Sequence, residues 1–77
     1  MTLLEMSVYY ADSAAMIRAR IAELQAAERA ELNPDMARRL HQRAEALRPL
    51  LREMRDLAIL TARYYDRSYH RHEQYTL

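Results

Sequence analysis

The sequence predicts an all-α protein, an antiparallel two-helix hairpin that self-associates as a four-helix bundle or an antiparallel coiled coil. Three observations carry that expectation. Apolar residues recur at spacings of three and four in both halves of the chain, the period of a helix with a buried face. The 77 residues contain no glycine and only two prolines, one of them in Leu32-Asn33-Pro34-Asp35 near the middle. Finally, 51% of the residues are hydrophobic, more than a lone two-helix hairpin can hide, so either a second copy or another partner is needed to cover the rest.

The first helix is predicted to start at Leu3 and run unbroken to Leu32, about 30 residues and ~45 Å. Thr2-Leu3-Leu4-Glu5 has the form of a capping box: the Thr2 hydroxyl caps the Glu5 amide while Glu5 reaches back to the Thr2 amide. Met1 and Met6 stand where a hydrophobic staple would be. Two apolar seams run along this helix. Leu3, Met6, Tyr10, Ala14, Ile17, Ile21 and Leu24 form the first. About a quarter to a third of a turn away lie Leu4, Val8, Ala11, Ala15, Ala22 and Ala26. One stripe packs one neighbour, so two stripes imply two neighbours. Alanine is also the best helix former, and the alternative is that these positions are exposed filler.

Asn33 is a strong N-cap, Pro34 suits the first helical position and Asp35 suits the helix dipole. Helix 2 therefore starts at Pro34, and the short link makes the helices antiparallel. Its buried stripe is Met36, Leu40, Ala44, Leu47, Leu51, Met54, Ala58, Thr61 and Tyr65, widened by Leu50 and Leu57, with Arg38, Arg52, Asp56 and Arg63 opposite. Pro49 lies away from the stripe, where it bends a helix without breaking it; two helices parting at Arg48 is the alternative. Residues whose numbers sum to roughly 67–71 should face each other across such a turn. Ile17 then meets Leu50 or Leu51, Ile21 meets Leu47, and Tyr10 meets Leu57 or Ala58. Glu28 and Glu31 should pair across the helices with Arg39 and Arg43. Ile59 and Leu60 fall off the stripe and, with Leu4 and Val8, mark the open end for association.

The net charge is +1, but residues 1–36 carry six acids and three arginines, and residues 37–77 nine arginines and five acids. Opposite signs favour antiparallel pairing of the two helices over nucleic-acid binding. The absence of cysteine removes disulfides and thiolate metal sites and fits a reducing cytoplasm. No run approaches the ~20 apolar residues of a membrane span, and the N-terminus lacks a signal-peptide pattern, so no membrane partner is expected. Without glycine there is no phosphate-binding loop, and no spacing of Ser, His and acid suggests catalysis. An enzyme and a cofactor are not expected. His70 and His72 lie about 200° apart on a helix, and His70 with Glu73 supplies too few ligands for zinc.

The C-terminal segment changes character. Helix 2 is expected to continue to about Tyr69, with 70–77 fraying. Tyr64, Tyr65, Asp66, Arg67 and Tyr69 form a Tyr-Tyr-Asp-Arg-x-Tyr ending. That ending resembles the close of short, uncharacterised bacterial open reading frames of the mobile-element type, and the resemblance implies neither an activity nor an active site. Tyrosine and arginine dominate binding energy at protein interfaces, so Tyr64, Arg67, Tyr69, Arg71 and Tyr75 are candidate contacts for a second protein. The alternative is a nucleic-acid-binding accessory protein, with Arg63, Arg67 and Arg71 on phosphates and the interleaved tyrosines on bases. The expected function is a small helical interaction module, an adaptor or accessory regulator.

Overall fold

The computed structural model of the chain describes residues 2–75, with side chains through Tyr65. The described residues form two helices, α1 (Leu3–Ala30) and α2 (Pro34–Tyr75), packed against each other as an antiparallel hairpin. Its dimensions are 67 × 17 × 14 Å.

Local chemistry sets the ends. The Thr2 hydroxyl accepts from the Glu5 amide at 3.0 Å, capping α1. The reciprocal bond from Glu5 to the Thr2 amide is not found among the described residues, and the expected staple falls on Met1, which lies outside them. Asn33 Oδ1 accepts from the amides of Asp35 at 2.9 Å and Met36 at 3.4 Å, capping α2 as expected. Helix α1 ends at Ala30, two residues before the expected Leu32. The cause is the reversal itself, which must span packed helix axes ~8–10 Å apart. Glu31 turns extended (φ −80°, ψ 126°), and its carboxylate then accepts from the Asn33 amide at 3.2 Å.

Helix α2 continues through Pro49, so the chain does not part at Arg48. Pro49 is exposed, and its ring displaces nothing in the core. At 1.5 Å per residue α2 is ~63 Å long, close to the 67 Å extent of the molecule, so any bend is gentle. At its far end α2 runs to Tyr75, six residues past the expected Tyr69. Neither glycine nor proline stands between Thr61 and Tyr75 to stop it.

The core follows the first seam of α1. Ala14, Ile21, Leu24 and Ala44 are buried, and Ile17, Leu40, Leu47 and Leu51 pack around Ile21, Leu24 and Ala44. Leu51 is the residue turned inward and Leu50 is exposed, which settles the choice opposite Ile17. Met36 and Tyr65, at the two ends of the α2 stripe, are exposed because α1 does not reach over them. The expected pairs of Glu28 and Glu31 with Arg39 and Arg43 do not form. Glu28 meets His41 Nδ1 at 3.1 Å, while Glu31 is occupied in the turn. At the open end the Ser7 hydroxyl donates to the Ala58 carbonyl at 3.2 Å, crossing from one helix to the other. The pairs 28/41 and 7/58 sum to 69 and 65, within and just below the expected register.

Candidate interaction surface

The hairpin covers only one of the two seams of α1. Leu4, Val8, Ala11, Ala15, Ala22 and Ala26 are all exposed, with Val8 at 53%. These residues occupy one uncharged strip along the helix. A shallow groove adjoins it, lined by Ala11, Ala14 and Arg18 of α1 and by Arg55, Ala58 and Ile59 of α2. Ile59, 49% exposed, thus lies beside the strip toward the open end of the hairpin. Leu60 shares a shallow groove with Ile59, Asp56 and Arg63 and lines another along α2 with Pro49, Arg52, Glu53, Asp56 and Leu57.

Charges border the strip unequally. At 3.6 residues per turn, Glu5, Asp12 and Glu23 fall along one edge and Arg18 and Arg29 along the other, the latter on the side of Arg55. Glu23 is paired with Arg20 at 3.1 Å. Glu5, Asp12, Arg18, Arg29 and Arg55 form no ion pair among the described residues.

On the other side of the hairpin is a second apolar band. Tyr9 and Met16 of α1 and Leu50, Leu57 and Tyr64 of α2 lie there; all but the half-buried Leu57 are exposed. A signal for it exists in the sequence: Ala46, Leu50, Glu53, Leu57, Leu60 and Tyr64 repeat at spacings of four and three. Glu53 in mid-row, and the overlap of Leu50 and Leu57 with the core stripe, concealed it.

Of the residues assigned to partner binding, Tyr64 is 51% exposed beside exposed Arg63. The side chains of Arg67, Tyr69, Arg71 and Tyr75 lie outside the described residues. Their backbone belongs to α2, which at 42 residues exceeds the 28 of α1 and projects past it. Among the described residues no cluster of three or more His, Asp or Glu could hold a metal, and no helix is long and apolar enough to cross a membrane. Comparison with family models, with curated proteins and with solved structures returned no match.

Proposed function

We propose that the chain is a small non-catalytic helical interaction module. It acts by pairing with a second copy of itself through the exposed strip of α1, and it offers its Tyr/Arg-rich C-terminal segment to another protein. Lacking cysteine, it suits a reducing compartment such as the cytoplasm.

The observation that carries this reading is the uncovered seam. Leu4 and Val8 of the strip, and Ile59 beside it, are 48%, 53% and 49% exposed, with no other element of the hairpin laid over them. Much of the strip is alanine, which lets a neighbouring backbone approach closely, and Leu4 and Val8 supply side chains large enough to anchor it.

The experiment is Ala15→Arg. Ala15 is exposed in the isolated hairpin, so the substitution leaves an uncomplexed hairpin nearly unchanged, within a few tenths of a kcal/mol. If the strip is an interface, an unpaired arginine enters it and several kcal/mol of association are lost. The variant should elute as a hairpin of single-chain mass, with a melting temperature that no longer depends on concentration. Identical masses and melting curves for variant and parent would overturn the reading.

A further inference from the structure

We infer that the second copy docks in parallel, α1 beside α1 with their N-termini at the same end, and that the edge charges of the strip select this orientation. The inference rests on the proposal that the strip is a self-association surface, and adds its geometry.

Each α1 strip has an acidic edge and a basic edge. Two identical helices meeting face to face can run parallel or antiparallel, and symmetry decides which edges then touch. In the antiparallel arrangement each edge meets its own copy. Glu5, Asp12 and Glu23 would confront the same acids, while Arg18 and Arg29, with Arg55 of α2 beside them in the groove, would confront arginines. In the parallel arrangement opposite edges meet. Arg18 of one copy then lies five residues from Glu23 and six from Asp12 of the other, axial offsets of about 7.5 and 9 Å. Those offsets are within reach of an extended arginine, and charges flanking an apolar seam form such interhelical salt bridges in parallel coiled coils. Twofold symmetry makes each such contact twice. Arg18 has no ion-pair partner within the described hairpin, and Glu23 is held only by Arg20, with both side chains more than half exposed. Neither gives up a strong contact on association. Like charges side by side at an interface oppose docking, so the edges select orientation even where they add little affinity.

The resulting assembly has the two α1 helices at its centre and an α2 on either side. Leu4 faces Leu4, and Ala15 faces Ala15. The Ala11–Ile59 grooves receive the acidic edges of the opposite copies.

Cysteine cross-linking distinguishes the arrangements, because the chain has no cysteine of its own. Leu4→Cys and Ala26→Cys are oxidised separately and mixed, with Glu53→Cys, on the outer face of α2, as the control. A disulfide needs Cα atoms within about 7 Å, and positions 4 and 26 stand about 33 Å apart along α1. Parallel docking predicts rapid homodimeric disulfides for each variant alone and no preference for the 4–26 pair on mixing. Antiparallel docking gives the 4–26 heterodimer on mixing and little from either alone; that result overturns the orientation while leaving self-association intact. Cross-linking no faster than the control, with a monomeric mass, overturns both. A charge swap provides the second arm. Arg18→Glu should raise the dissociation constant about tenfold or more, and adding Glu23→Arg in the same chain should restore it. Failure of the swap to restore association, with each variant still folded, contradicts the parallel edge contacts.

Discussion

Ser7 and Thr61 converge on one carbonyl. The Thr61 hydroxyl donates to Leu57 O at 2.8 Å and to Ala58 O at 3.2 Å, and Ser7 reaches the same Ala58 oxygen from the other helix. Thr61 is buried, and these bonds to its own helix satisfy a hydroxyl that would otherwise be costly there. Ser7 is half-buried and joins the open end of the hairpin at a fixed register. Its removal should cost about 1 kcal/mol. Ser7→Ala is therefore expected to lower the melting temperature by about 4–8 °C, as read by thermal circular dichroism; an unchanged transition would show that the bond contributes nothing. Asn33→Ala should cost a similar amount, about 1 kcal/mol, because two α2 amides lose their acceptor. The Asn33 cap was legible because Asn-Pro-Asp is a local signal that needs no partner. The Ser7 bond was not, since a serine inside an apolar helix carries no period and its acceptor lies 51 residues away.

At the scale of helices, the two runs and the buried seam of α1 were legible because a 3.6-residue period survives whatever packs against it. Ends were less so. Where α1 stops depends on the distance the turn must span, and that follows from packing. Pro49 shows the tension within a single element. Its ring removes one amide donor from α2, yet the helix continues because the site faces outward. Pro49→Ala should then stabilise the hairpin, by up to about 3 kcal/mol, with a higher urea midpoint and an unchanged slope. A lower midpoint would mean that the proline itself shapes the packing. Ala44, only 1% exposed, sets how closely α1 and α2 approach. Ala44→Leu should cost about 1–3 kcal/mol by overpacking.

For the whole molecule, elongation leaves two apolar surfaces on different sides of the hairpin, and the α1 strip has edges of opposite charge. The sequence exposed that strip as a second seam, but the side of the hairpin on which Ile59 and Leu60 fall became readable only once the two helices had a register. The charge imbalance between the two halves gave little guidance: the clearest cross-helix contact joins Glu28 to His41, not to an arginine. The C-terminal end of α2 runs past the end of α1. Deleting residues 67–77 should leave the melting temperature within about 2 °C of the parent, a change under ~0.5 kcal/mol. Unfolding of the truncated chain would make that segment structural, not a contact for another protein.

The central claim, that the α1 strip is a surface for a second copy, is tested most directly by sedimentation equilibrium of the full chain across micromolar concentrations. The expected result is a mass of twice the 9.2 kDa chain, falling toward the single-chain value on dilution. A single-chain mass throughout that range, from protein that still unfolds cooperatively, would contradict it.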